Sequence, residues 1–272
     1  MAAAENAAAG DERADRASAE GQSTGRVVLV GGGPGDPGLM TVAGLEAVRT
    51  ADVVVTDRLG PMSILDELDP GIEVIGVGKV PFGPATPQEE INRMLVEQAR
   101  RGRTVVRLKG GDSFLFGRGA EEHLACTAAG VPVTVIPGVT SALSVPALAG
   151  VPATHRGLSQ GVSVISGHVA PRDPQSTLDY GALARSGTTL VLLMAVTTLP
   201  AITAELLAEG MVSDTPAVLI ENGSTPAQQI LRGTLASIAR QAAEAGVAPP
   251  AITVIGAVAG LAEQLVPGLP FA

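Results

Sequence analysis

Short runs of β-branched residues recur along this chain, the earlier ones without strict polar alternation inside them, and Ala-, Leu- and Glu-rich stretches of helical character separate them. The runs fall at residues 27–30, 52–55, 73–75, 104–108 and 133–136, and return at 162–165, 189–194, 217–220 and 252–255. A strand with one face in water alternates apolar and polar residues, whereas a continuous apolar run suits a strand covered on both faces. Strands alternating with helices in this way predict an α/β architecture with mainly parallel sheets. The later helical patterns lie at 199–209 and 234–245, and a Pro- and Gly-rich stretch at 137–157 separates the two sets of strands. The expected organisation is therefore two α/β domains, 26–150 and 151–272, with the boundary inside 138–158. Residues 1–25, rich in Ala, Glu, Asp, Gly and Ser with neither a basic start nor an apolar stretch, read as a disordered tail rather than a signal peptide.

Composition narrows the function classes. A chain of 272 residues, 46% of them hydrophobic, can bury a large core. With no Trp, one Tyr and four Phe, that core is built from Val, Leu, Ile and Ala, and a base-stacking platform for nucleic acid is disfavoured. A net charge of −9 argues against a general polyanion-binding surface. Yet Arg58, Lys79, Arg107, Lys109, Arg118 and Arg156 lie in or beside the glycine-rich segments. They read either as a local basic pocket for a small carboxylate-rich substrate or as scattered solvated and structural charges. Cys126 is the only cysteine, which excludes an internal disulfide, fits a reducing cytoplasm, and suits a small buried hydrophobe better than a nucleophile. His123, His155 and His168 show no metal-ligand spacing, so no metal site is expected. The strongest apolar run, 188–196, is far shorter than the roughly 20 residues a membrane span requires.

Three segments carry candidate chemistry. In VVRLKGGDSFLFGRGAEE, residues 105–122, an apolar strand runs into Gly110, Gly111 and Asp112. Strand exits of this kind line ligand crevices in open α/β sheets, where glycines admit a ligand to bare backbone and an acid supplies fixed charge. Gly33, Gly35 and Gly38 satisfy G-x-G-x-x-G, with Asp57 about 20 residues on, which formally suggests a nicotinamide oxidoreductase. Pro34 and Pro37, however, remove backbone N–H groups that a pyrophosphate cradle needs, so a ligand wall and a plain tight turn both remain open. Asp57, ending a strand-like run, either faces the crevice or caps a turn. Lys79, ending another, either moves a proton, attracts carboxylates or lies in solvent. Thr140 and Ser141 suit a helix N-cap, a ligand contact, or both.

Together with VVLVGGGPGDPGLMT at 27–41 and IPGVTSALSVPALAGVPATHRG at 136–157, this chain resembles the tetrapyrrole methylases over nearly all of its length after about residue 25. The resemblance implies a two-domain fold with the active site in the interdomain cleft and a homodimer. It also implies S-adenosylmethionine-dependent C-methylation of uroporphyrinogen III to precorrin-2, with S-adenosylhomocysteine released, on the route to sirohaem or cobalamin. Pro34, Gly110, Gly111, Asp112, Leu115, Thr140, Ser141, Met194, Gly223 and Ala251 match the family's donor-binding positions, Asp57 its proton acceptor and Lys79 its proton donor. Arg58, Lys109, Arg118 and Arg156 are candidates for the substrate's acetate and propionate groups. Residues 80–82, Val-Pro-Phe, stand where the family often has another basic residue, Ser113 replaces a usual Pro, and the segment ENGSTPAQQ lacks an expected basic residue. A methyltransferase acting on a later precorrin and a non-catalytic ligand-binding relative are the alternative readings.

Overall fold

The computed structural model describes residues 25–78 and 86–265. Its first half runs β1 (Arg26–Gly31), α1 (Val42–Arg49), β2 (Val53–Thr56), β3 (Glu73–Gly76), α2 (Gln88–Arg100), β4 (Thr104–Lys109), α3 (Gly119–Ala128) and β5 (Val133–Ile136). These strands form one five-stranded sheet in the order β3-β2-β4-β1-β5, every pair parallel. The central strand β4 explains the missing polar alternation. Val105 packs with Ile91, Leu95 and Cys126 of α2 and α3, while Val106 and Leu108 pack on the opposite face with Val48 of α1. Each such side chain, fully buried, contributes about 1.5–3 kcal/mol. Gly25 is a correction to the expected tail: it is buried, and its N–H donates to the Ala99 carbonyl. Residues 1–24 lie outside the described residues.

The chain continues through α4 (Ser141–Leu148), β6 (Val162–Ser166), α5 (Tyr180–Arg185), β7 (Thr189–Leu193), α6 (Leu199–Ala208), β8 (Pro216–Glu221), β9 (Gln229–Thr234), α7 (Ile238–Glu244), β10 (Ala251–Ile255) and α8 (Ala262–Leu265). The second sheet has the order β6-β7-β10-β8-β9. Here the mainly parallel expectation needs correcting: only β6 and β7 pair parallel, and the other three pairings are antiparallel. The reason is local: β8 returns directly into β9 as a hairpin, which reverses the chain, and β10, running the same way as β9, inserts antiparallel between β7 and β8. Strand β9 escapes a sequence reading because it is a half-exposed edge carrying Arg232 and Gly233, and the helix expected from 234 starts at Ile238 instead.

Helix α4 joins the two halves. Its Ala142 and Val145, with Ala149 and Val151 just beyond, are buried among Val191, Val218, Ile220, Ile252 and Val254 of the second sheet. No helix among the described residues is long and apolar enough to cross a membrane.

Candidate functional site

The carboxyl edge of the first sheet is built from backbone held against backbone. Beyond β1, the Gly32 N–H donates to Lys109 O at 2.7 Å, while Gly33 and Gly111 exchange N–H···O bonds of 3.1 and 2.6 Å. Gly31 is bare because a Cβ there would fall 2.5 Å from Gly138 N and 2.8 Å from Gly111 O. Gly110 is bare for a similar reason, since its Cβ would meet the Leu59 Cβ at 2.6 Å and the Leu59 carbonyl at 2.7 Å. Gly111 differs: at φ 65° it adopts the left-handed region, and the nearest atoms to a Cβ there are Ser141 N and Oγ, at 3.6 and 3.7 Å. That glycine is the one of the pair at which a Cβ would make only ordinary contacts.

Asp112 locks this edge. One carboxylate oxygen accepts the Phe114 N–H and the other the Gly138 N–H, both at 2.9 Å. Thr140 is the N-cap of α4, its Oγ1 accepting the Ala142 N–H at 3.3 Å, which sets Ser141 at the helix start beside Gly111.

The loop after β1 reaches the second sheet. The Asp36 N–H donates to Ser224 Oγ at 3.1 Å, and Gly35 lies against Ser224 and Thr225. This places Pro34 next to the turn that follows β8. In that turn Asn222 and Ser224 have φ of 50° and 64°, and Gly223 admits no side chain because Val145 of α4 fills the space. Ala251 pairs with Glu221 and Ile252 with Leu193, so Ala251, Gly223 and Met194 share one edge of the sheet. Met194 lies outside β7, at φ 56°, and is 49% exposed. Leu115 packs against the cluster formed by α4 and the second sheet. The structure thus sets Gly111 and Ser141 together at the carboxyl edge of the first sheet, Pro34 beside the turn that follows β8, and Gly223, Ala251 and Met194 along one edge of the second sheet. Gly110, Asp112 and Thr140 hold that arrangement from within.

A dinucleotide cradle is not formed. After Gly33, a single turn at Pro37–Leu39 intervenes before α1, whose own N-cap is Thr41, and the Gly38 N–H is taken by the Asp36 carboxylate. The Gly33 N–H is spent on Gly111.

Asp57 leaves β2 on the face shared by Val53 and Val55, with its side chain 23% exposed. Its Oδ1 accepts the Leu59 N–H at 3.0 Å, and Oδ2 stands 3.6 Å from Arg107 Nη2. Lys79 lies outside the described residues. Arg58, Arg118 and Arg156 are exposed, Arg118 in a two-pronged pair with Glu121 at 2.7 and 2.8 Å. Lys109 behaves otherwise. It is buried and donates to Glu122 Oε1 at 2.9 Å, and burial together with the neighbouring Arg107 lowers its pKa against the opposing pull of Glu122.

Glu122 and Arg107 complete a buried group that sequence reasoning did not single out as a site. The Glu122 Oε1 accepts from Arg107 Nε at 3.0 Å, Lys109 Nζ at 2.9 Å and Gln88 Nε2 at 3.2 Å. The signal was present: Arg107 and Lys109, two apart on an otherwise apolar central strand, point the same way and require a buried acid. Elsewhere, a polar cavity of about 330 Å³ lined by Gly157–Gly161 and Ser186–Thr188 opens at the amino ends of β6 and β7, away from Met194. Among the described residues no group of three or more His, Cys, Asp or Glu is placed to share a metal ion.

Comparison with known proteins agrees with this geometry. The family model for Tetrapyrrole (Corrin/Porphyrin) Methylases matches residues 26–239. An S-adenosyl-L-methionine-dependent uroporphyrinogen III methyltransferase of Methanosarcina barkeri is 45% identical over 241 residues, covering 89% of this chain and 94% of the relative. A siroheme synthase of Tolumonas auensis is 45% identical over 252 residues, 93% of this chain but 53% of that protein, so the chain spans about half the length of such relatives. The solved uroporphyrin-III C-methyltransferase of Thermus thermophilus, complexed with S-adenosylhomocysteine, superposes with a TM-score of 0.74 at 41% identity, over 87% of this chain and 100% of that one. With a family model spanning most of its length, the chain belongs to the tetrapyrrole methylases.

Proposed function

We propose that this chain transfers methyl groups from S-adenosylmethionine to two carbons of uroporphyrinogen III in turn, giving precorrin-2 for sirohaem or cobalamin synthesis. The observation that carries the reading is the Asp36–Ser224 bond, which brings the Pro34 loop to the turn that holds Gly223, on the sheet edge shared with Ala251 and Met194. Bare backbone at Gly111, the hydroxyl of Ser141 and the exposed thioether of Met194 offer a nucleoside an apolar face with hydrogen-bonding groups at its rim. The fit is to a donor lying along bare backbone, with Asp112 shaping the loop rather than standing free. The active site is then the cleft between the edges of the two sheets, and we divide the chain toward the start of the 138–158 interval, because α4 is buried in the second sheet.

When bound, the donor supplies an electrophilic methyl group, and the reduced macrocycle is the carbon nucleophile. The protein's own task is alignment at near-attack distance, about 3–3.5 Å between reacting atoms. Asp57, at the mouth of β2, accepts the proton that the cationic methylated macrocycle loses, from a position other than the new quaternary carbon, to become neutral. Lys79 is assigned as the proton donor. Arg58, Arg118 and Arg156 serve the substrate carboxylates, and Lys109 is left out of that set because Glu122 holds it. On the same reading the enzyme is a cytoplasmic homodimer.

The test is anaerobic incubation with uroporphyrinogen III and S-adenosylmethionine, with the product mass determined. Addition of two methyl groups is expected. An unmethylated macrocycle from protein that binds S-adenosylhomocysteine by calorimetry would refute the substrate while leaving the donor.

A further inference from the structure

Beneath the proposed proton acceptor lies a closed set of two acids and two bases. Arg107 and Lys109 of β4, with side chains 4% and 6% exposed, meet Glu122 of α3 at 0%, and Asp57 at 23% is the one member that opens outward. The geometry is asymmetric. Arg107 sits 3.0 Å from Glu122 and 3.6 Å from Asp57, and it is further fixed by donating to Leu108 O at 2.9 Å and Val55 O at 3.3 Å. Lys109 likewise spends its ammonium on Glu122 at 2.9 Å, although it lies on the strand neighbouring Asp57. Both cations next to Asp57 are therefore held first by another anion.

We infer that Glu122 is a positioning residue that holds Arg107 and Lys109 off Asp57 and so leaves the Asp57 carboxylate, at a 3.6 Å contact with Arg107, available to accept a proton. The inference rests on Asp57 being the proton acceptor proposed above. An opposite charge beside a carboxylate favours its ionised form and weakens it as a base. With Glu122 neutralised, Arg107 and Lys109 have Asp57 as their remaining anion in this group and close on it. Among the described residues the charged and titratable groups facing this set are Arg107 and Lys109 on β4, Glu121, Glu122 and Cys126 on α3, and Arg118 at the start of that helix. Gln88 of α2 adds a neutral donor.

The pH dependence of single-turnover methyl transfer by the full chain tests this. Glu122→Gln should move the acid limb to lower pH by about one unit and reduce the plateau about three- to tenfold. Glu122→Asp, which restores the charge, should return the limb toward its original position. Lys109→Met removes a cation instead and should move the limb to higher pH, which decides the matter even if Glu122→Gln fails to fold. Limbs that stay at the wild-type position in Glu122→Gln and Lys109→Met, with Asp57→Asn inactive, overturn the inference alone. Full turnover by Asp57→Asn overturns the proton-acceptor assignment and the inference with it.

Discussion

Asp112 accepts the backbone N–H of Gly138 at 2.9 Å, across 26 residues of chain, and so ties the exit of β4 to the exit of β5. Its other carboxylate oxygen accepts the Phe114 N–H, which shapes its own loop. The edge on which Gly111 and Ser141 lie is therefore set by one side chain.

Asp112→Ala should lose both acceptors and destabilise the protein by about 1–3 kcal/mol. Urea denaturation with an unchanged slope measures this. S-adenosylhomocysteine affinity should fall at least about tenfold by calorimetry, since the loop loses its fixed geometry before any ligand arrives.

Gly138→Ala should be among the most damaging small substitutions, because its Cβ would enter the space of the Gly31 and Gly111 backbones, which cannot yield as a flexible side chain can. A loss of about 3 kcal/mol or more is expected. Gly60→Ala is the comparison: its Cβ would stand 3.8 Å from its nearest neighbours, an ordinary contact, and stability should change by no more than about 0.5 kcal/mol. Equal thermal shifts in the two variants would contradict the steric argument.

Ser224→Ala removes the acceptor of the Asp36 N–H, the bond that joins the loop after β1 to the second sheet. Because that bond is exposed, stability should change by about 0.5–1.5 kcal/mol or less. The KM for S-adenosylmethionine should rise severalfold with kcat nearly unchanged, the pattern of lost positioning in the ground and transition states alike.

Burial, with the neighbouring Glu122 carboxylate, pushes the Cys126 thiol up to about 11. At pH 8.5, where an unperturbed thiol is about half ionised, folded protein should hold less than about one per cent thiolate. A thiol-specific reagent should leave Cys126 unmodified in native protein and label it stoichiometrically in denaturant. Fast labelling of the native protein would show that the side chain is accessible.

How much the sequence disclosed depended on whether neighbouring residues in the chain were also neighbours in space. The first sheet was readable because its inner strands β1, β2 and β4 are covered on both faces, and Val105 and Val106 are apolar for the same reason on opposite sides. The second sheet was only half readable, since strand direction is set by whether a helix or a hairpin follows, and β9 at the edge needs no apolar run. Among the residues chosen for the donor site the glycines divide by cause. Gly110 is required by Leu59 and Gly223 by Val145, partners far away in sequence, whereas a Cβ at Gly111 would make only ordinary contacts. Lys109 read as an available cation because its acid lies 13 residues on, in a helix whose inward face could not be fixed from spacing alone.

Helix α4 gives its apolar face to strands made from residues that follow it by about fifty or more positions, Val191 onward. A nascent chain that has just completed the first sheet would carry Ala142 and Val145 with nothing yet to shelter them. Severing the polypeptide after that helix would leave a sticky half-molecule, so the two lobes depend on each other for solubility as well as for activity.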